Sequence, residues 1–401
     1  MQRVVITGAG TVNALALDVP GTLRAMREGR CGIGPLDIPD LDRLQVRIGA
    51  QITGWDAEAR FSRVQLGLYD RFTQFALVAG QEAMSQAGLR SVSNPLKWGC
   101  IMGTAGGGNS TVNDAFHTVF AEGKSRVHPF TVPRLMNNAA ASHLSMTWNL
   151  QGPCFSVATA CASSNHAIGL AYQMIRSGMA EGMLAGGSES MLNFGGLKAW
   201  EGLRVMSRTG CRPFAKSRDG MVQGEGGAVF VLESLESAKA RDASILAEIC
   251  GFSMTSDAGD IVMPSLEGAT RAISGALADG GIAADRVGYI NAHGTGTAAN
   301  DKTESAAIRS ALGTQADYVL VSSTKAMHGH CIGGTGAIEV LACLMALNEG
   351  VIAPTINHDT PDPDCDLDVV PNEAREASID IALSNAFAFG GMNAVLALKR
   401  I

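Results

Sequence analysis

The 401-residue sequence has nine cysteines but no Cys-x-x-Cys pair. Close thiol pairs mark zinc sites and redox motifs, so these scattered cysteines read as free thiols of a reducing compartment. No secretory leader is read at the N-terminus, which passes straight into a strand signal at Val4 to Ile6. No uninterrupted apolar run is long enough to span a bilayer. The expectation is a cytoplasmic protein that does not engage a membrane. Charge is scarce as well: charged residues make up 17% and the formal net charge is −7, which gives no global reason to bind nucleic acid. Gly8-Ala-Gly10 lacks the third glycine of a dinucleotide loop, because position 13 is Asn, so it reads as a glycine turn after the first strand. No Gly-x-Ser-x-Gly elbow is present, which sets aside a serine hydrolase.

What the chain does have is apolar bulk and glycine. Hydrophobic residues make up 46% and there are 48 glycines, which suits a large core with many tight turns. Continuous apolar strands (Trp98 to Met102, Met183 to Ala185, Ala228 to Leu232, Val287 to Asn291, Ile379 to Ser384, Ala394 to Leu398) alternate with helical periodicities such as Arg71 to Ala87 and Gly336 to Asn348. Strands alternating with helices predict an α/β fold of mainly parallel sheets covered by helices. The order recurs from about residue 242, which predicts two duplicated halves, 1–241 and 242–401, sharing one interior.

The stretch with the most chemistry is Ala158-Thr-Ala-Cys-Ala-Ser-Ser164, where a buried strand meets a helix. A cysteine at a helix start faces unpaired N–H groups that favour its thiolate. The competing reading is a small buried cysteine packed under a helix. Three other turns resemble it, each a strand end followed by glycines and a reactive side chain. They hold His293 in Asn291-Ala-His-Gly-Thr-Gly-Thr297, Lys325 and His330 in Ser322-Ser-Thr-Lys-Ala-Met-His-Gly-His330, and Phe389 in Asn385-Ala-Phe-Ala-Phe-Gly-Gly391. If all four lie at one sheet edge, a thiol, two imidazoles and a lysine converge. A thiolate can hold an acyl group covalently, and two neutral imidazoles donating N–H to one carbonyl oxygen can stabilise an enolate. His328-Gly-His-Cys331 is also a metal-like fragment, but no further ligands stand at a known spacing, so no metal is expected.

These motifs together resemble the β-ketoacyl-acyl carrier protein synthases of the elongating type II kind, across essentially the full length. The matching stretches are Thr159-Ala-Cys-Ala-Ser-Ser164, His293-Gly-Thr-Gly-Thr297 with Asp301 and Glu304, Ser323-Thr-Lys325 with Gly329-His330, Arg212-Pro-Phe214, Gly224-Glu-Gly226 and Phe389-Gly-Gly391. The resemblance implies the thiolase-like fold of duplicated αβαβα halves, a homodimer, and decarboxylative condensation of acyl and malonyl thioesters held on acyl carrier protein. It implies no cofactor of the chain's own, since the phosphopantetheine belongs to the carrier. Cys161 would be acylated, His293 and His330 would drive malonyl decarboxylation, and Lys325 would support His330. The backbone N–H groups of Cys161 and Phe389 would form the oxyanion hole, with Phe389 as gate. Thr295 and Thr297 would hold the phosphopantetheine arm, Phe387 and Trp200 would line the substrate site, and Asp301 and Glu304 would be structural. Glu339 resembles a buried glutamate that orders this region in relatives, sometimes beside a structural monovalent cation.

Departures are visible too. Ala388 and Met392 replace a glycine and a threonine around the gate, and Gly106 stands where many relatives carry a bulky aliphatic residue, which predicts a deeper acyl pocket. Lys124, Arg126 and Arg204 are the candidates for meeting an acidic carrier. Asp362-Pro-Asp-Cys-Asp-Leu-Asp368 and His330-Cys-Ile-Gly333 resemble nodulation-type synthases that make unusual acyl chains. A silent chain-length partner remains a remote alternative, since such partners typically lack the cysteine present here.

Overall fold

The computed structural model describes residues 1–401. Ten strands form its framework: β1 (Val4–Asn13), β2 (Trp98–Gly103), β3 (Cys154–Val157), β4 (Gly182–Glu189), β5 (Gly226–Ser234), β6 (Ala247–Ser256), β7 (Val287–Asn291), β8 (Leu320–Ser322), β9 (Ile381–Ala388) and β10 (Met392–Lys399). Their spatial order is β8-β7-β9-β10-β6-β1-β5-β4-β2-β3. Read outward from the central β6–β1 pair, each half repeats one order of five strands, so the duplication expected from the sequence is present in the topology.

The six main helices repeat in the same way: α1 (Arg71–Gln86), α2 (Ala139–Trp148) and α3 (Ser163–Arg176) in the first half, then α4 (Leu266–Gly280), α5 (Ala298–Leu312) and α6 (Thr335–Glu349) in the second. Helices α3 and α6 pack against each other and against strands of both halves, whereas α1 covers β1 and β5 and α4 covers β6 and β10. The layering is therefore helix, sheet, helix, sheet, helix. Helix α6 lies in the middle layer with every residue from Thr335 to Leu347 buried, nearly all of them apolar or small and Glu339 the one carboxylate among them. The segment Ile332–Glu349 is long and apolar enough to cross a membrane, yet 89% of it lies inside the protein, which makes it a core helix.

Two sequence expectations change here. Parallel pairing is confined to the outer three strands of each half (β2 with β3 and β4, β7 with β8 and β9), and the inner strands pair antiparallel. The second change concerns Gly8 and Gly10, which are not in a turn. β1 runs through both to Asn13, with a register shift between Ile6 and Gly8. A Cβ added at Gly8 would lie 2.2 Å from the Ala83 carbonyl oxygen, and one at Gly10 would lie 1.9 Å from that of Ala79. The glycines let helix α1 lie directly on the strand.

Candidate active site

Cys161 sits in a single 3-10 turn, Ala160–Ala162, between β3 and α3. The turn is held by Ser163, whose hydroxyl donates to the Ala160 carbonyl at 2.7 Å and accepts from the Thr159 N–H at 2.9 Å. Ala160 has φ +46, a left-handed conformation that costs an alanine energy and that marks the residue beside the thiol as strained. The helix start is where the sequence placed it, but its effect on the thiol is not the expected one. Burial pushes the Cys161 thiol up to about 11, against the opposing pull of the Lys325 charge and of the Phe389 and Cys161 backbone N–H groups. With only 7% of its surface exposed, the sulfur loses more hydration than the helix end returns. A thiol with such a pKa is almost wholly protonated near neutrality. Its alkylation by iodoacetamide is expected to rise roughly tenfold per pH unit between about pH 7 and about pH 9. A rate that levels off near about pH 8 would show that the turn, and not burial, governs the sulfur.

The imidazoles come from the second half. His293 follows β7, and its backbone N–H and that of Gly294 donate to the two carboxylate oxygens of Glu304 at 2.8 and 2.7 Å. Glu304 also accepts from the Asn385 amide at 3.1 Å, so it ties the His293 loop to β9. Asp301 does the same work one turn earlier, accepting from the N–H groups of Phe214 and Gly296 at 2.8 and 3.2 Å. These two carboxylates are buried loop anchors, and neither reaches the thiol.

His330 is oriented so that its tautomer follows from its neighbours. The Ile332 backbone N–H donates to His330 Nδ1 at 3.2 Å, and the Thr335 hydroxyl lies 2.9 Å from the same nitrogen. A nitrogen that accepts an N–H carries no proton, so the proton is on Nε2, which is buried without a partner. Burial, and then the Lys325 charge, hold both His293 and His330 well below the ordinary imidazole range. Both rings are neutral. Their centroids are 5.5 Å apart at 83°, and one ligand-type atom from each of Cys161, His293 and His330 lies within 4.8 Å of the others. A thiol and two imidazoles are also soft-metal donors, but the Lys325 charge that acts on all three opposes a bound cation. His328 and Cys331 do not join them. His328 Nδ1 donates to the Gly329 carbonyl at 2.8 Å and its Nε2 accepts from the Thr324 hydroxyl at 2.9 Å, which dissolves the metal-like fragment.

Lys325 does not reach into the cleft as a free amine. Its Nζ meets Glu339 Oε1 at 2.5 Å, and the two side chains are 0% and 1% exposed. Burial raises the Glu339 carboxyl to about 7, and Lys325 opposes that rise.

Cys161, His293 and His330 open into a cleft of about 170 Å³, shared with Thr295, Thr297, Trp200, Phe387 and Phe389. The Thr295 and Thr297 hydroxyls are 2.9 Å apart. Phe389 stacks on Trp200, with centroids 6.1 Å apart and an interplanar angle of 26°. The gate is shorter than the sequence suggests: β9 continues through Phe387 to Ala388, which pairs with Met392, so only Phe389-Gly390-Gly391 forms the turn. The two glycines have φ +83 and +68, while Ala388 lies in extended strand that alanine adopts without strain.

Gly106 has a different environment from the expected one. A Cβ there would meet Met191 Cε at 3.1 Å and Sδ at 3.2 Å, so Met191 fills the space beside the glycine. Lys124, Arg126 and Arg204 are all exposed. Lys124 is already paired with Glu122 at 2.6 Å, and Arg204 stands beside the cleft-lining Val205, four residues after Trp200.

Sequence reasoning missed Glu189, Thr335 and Met221. Glu189 accepts from the N–H groups of Ala105, Gly106 and Gly333 and from the Thr104 hydroxyl, and burial raises it to about 7. Its partners are remote in sequence, so nothing local to Gly187-Ser-Glu189 could announce it. Met221 lines the cleft from an extended segment that carries no motif of its own.

Comparison with known proteins identifies the family. Residues 1–238 match the β-ketoacyl synthase N-terminal domain and residues 246–359 the C-terminal domain. The chain is 47% identical to nodulation protein E of Rhizobium sp. (strain N33), with 100% of each covered. It is 41% identical to a 3-oxoacyl-acyl-carrier-protein synthase 2 of Synechocystis sp. (strain ATCC 27184 / PCC 6803 / Kazusa), covering 100% of the chain and 98% of the relative. A type II polyketide acyl-carrier protein in complex with its ketosynthase superposes with TM-score 0.91 at 30% identity, covering 100% of both chains. The chain belongs to the β-ketoacyl synthase family of condensing enzymes.

Proposed function

We propose that Cys161 takes an acyl group from an acyl carrier protein thioester and passes it to a malonyl-carrier thioester, giving a β-ketoacyl chain two carbons longer. In loading, the Cys161 sulfur attacks the thioester carbon, the bond to the phosphopantetheine sulfur breaks, and the carrier thiol leaves with a proton. The Phe389 and Cys161 N–H groups hold the oxyanion, and Phe389 covers the thiol. Malonyl-carrier then enters past Thr295 and Thr297, and its carboxylate departs as carbon dioxide. The enolate left behind is held by N–H groups of His293 and His330. Its carbon attacks the acyl carbon on Cys161, a carbon–carbon bond forms, and the cysteine sulfur is released. The observation that carries this reading is the neutral, Nε2-protonated His330 beside the thiol, a donor with no partner until an oxygen arrives. Phosphopantetheine arrives with the carrier, and the chain supplies no cofactor of its own. Arg204 at the cleft margin, with Lys124 and Arg126, is the surface offered to an acidic carrier.

The working unit is a homodimer in this reading. Strand β3 is an edge, paired only with β2. The excursion between β2 and α2 leaves Phe116, Phe120, Phe130 and Val132 exposed, and a second copy would cover them. Nine unpaired cysteines suit the cytoplasm. General fatty-acid elongation is the first reading of the pathway. A specialised synthase for unusual acyl chains is favoured by the 47% identity to nodulation protein E, against 41% to the synthase 2 relative.

The test is a single-turnover experiment by intact-protein mass spectrometry. Wild type is expected to gain an acyl mass from acyl-carrier thioester and to lose it on a malonyl-carrier chase as a product two carbons longer. His330→Ala is expected to load normally and discharge about 100- to 1,000-fold more slowly. Discharge at the wild-type rate would remove His330 from the enolate step.

A further inference from the structure

Thr335 is the first residue of helix α6, and its side chain is aimed at a reacting group. The residue is 1% exposed, and its hydroxyl has one hydrogen-bond partner, His330 Nδ1, at 2.9 Å. Nδ1 already accepts the Ile332 N–H, so it has no proton to give, and the hydroxyl must be the donor in this contact. Two donors therefore converge on the one lone pair of Nδ1.

The two donors are not equivalent. The Ile332 bond is the longer at 3.2 Å, and it comes from a β-branched residue held at φ +43, an uncommon and strained conformation. The next residue pins that backbone: the Gly333 carbonyl accepts from the Ser164 hydroxyl, and the Gly333 N–H donates to Glu189 at 3.2 Å. The peptide is therefore fixed at its longer distance. The Thr335 hydroxyl can rotate to suit its acceptor, and it supplies the shorter bond. Both donors need a neutral ring with a bare Nδ1, so the hydroxyl, like the peptide, keeps the proton on Nε2. It also draws electron density from the ring and makes the Nε2–H a stronger donor, as hydrogen bonds in a chain polarise one another. His293 is held instead through its backbone N–H, which donates to Glu304, so the two imidazoles are unequal partners for one oxygen.

We propose that Thr335 is a positioning residue for the decarboxylative step: its hydroxyl polarises the His330 ring so that Nε2–H binds the enolate oxygen, and it takes no part in loading Cys161. The inference rests on the condensing reaction proposed above and assigns a residue to one of its half-reactions. In the malonyl step the carboxylate leaves as carbon dioxide, its bonding pair passes into the enolate, and negative charge gathers on the thioester oxygen. The Nε2–H meets that charge, and the pull of Thr335 on Nδ1 strengthens as the charge grows. Loading develops its charge instead in the hole formed by the Phe389 and Cys161 N–H groups, which Thr335 does not touch.

The experiment separates the two half-reactions. Thr335→Val keeps the size and removes the hydroxyl, whose one partner is the His330 ring, and Thr335→Ser restores it. Wild type and both variants are loaded from acyl-carrier thioester and chased with malonyl-carrier while the intact mass is followed. Thr335→Val is expected to load at the wild-type rate and to discharge about three- to tenfold more slowly, the value of one neutral hydrogen bond. In steady state the loss is expected in kcat and not in KM for malonyl-carrier. Thr335→Ser is expected to discharge within about twofold of wild type. In protein carrying isotope-labelled histidine, the nitrogen resonance of His330 Nδ1, assigned by its loss in His330→Ala, is expected to move downfield in Thr335→Val and to return in Thr335→Ser. Discharge of Thr335→Val at the wild-type rate, an equal slowing of loading, an unmoved resonance, or a Thr335→Ser variant as slow as Thr335→Val overturns the inference and leaves the condensing activity standing. Failure of wild type to load, or to discharge on malonyl-carrier, overturns the condensing reading, and the step assigned to Thr335 falls with it.

Discussion

Cys161→Ala is expected to give no acyl adduct with any carrier thioester and to lower condensation by more than about a thousandfold. The substitution removes one sulfur from a site whose walls are otherwise set by Ser163, Thr159 and the backbone of Phe389, so the fold should be retained. The size of the effect follows from the geometry. The two neutral imidazoles and the two N–H groups stabilise charge, but none of them can hold the acyl group while the carriers exchange. An adduct on Cys161→Ala at the wild-type rate would place the nucleophile elsewhere among the nine cysteines. Cys161 is the one of these that lines the cleft with both His293 and His330. Because burial holds its thiol up to about 11, loading must take the proton as the thioester arrives, under the field of Lys325.

The second large effect is on stability. Glu339→Ala is expected to destabilise the protein by about 3–5 kcal/mol, because it strands a buried ammonium group at Lys325. The pair itself is a weaker stabiliser than that figure suggests, since both charges lost their hydration to form it. Replacing the two together, Lys325→Met with Glu339→Leu, is expected to recover most of the loss. Thermal or denaturant melts of the two single variants and the double variant check this. A Glu339→Ala loss below about 1 kcal/mol, or a double variant as unstable as the sum of the singles, would mean that Lys325 and Glu339 are not coupled. Lys325 acts electrically on Cys161, His293 and His330 alike. Glu339 therefore holds the charge of the whole site in place from helix α6.

That Cys161, His293 and His330 come together at one cleft was legible because each lies in a contiguous signature. Asn291 to Thr297 runs from a strand end into a glycine turn, and so does Ser322 to His330. Duplication was equally legible, since the order of strands and helices starts again after residue 242. A glycine in the wrong element was not. Gly8 and Gly10 carry a turn signal, and only the backbone of α1, 70 residues further on, shows that their smallness serves close packing inside a strand.

From the sequence alone come the chemistry available and its local presentation: a cysteine at a helix start, histidines at strand ends, a lysine one turn from a histidine. Such features depend on neighbours within a few residues, whose conformational preferences are short-ranged. Tertiary structure alone decided the protonation of Cys161, the tautomer of His330, the pairing of Lys325 with Glu339, and the filling of the Gly106 space by Met191. Each of these is set by how much water a group loses and by which remote group replaces it, and neither exists until the two halves close on one another.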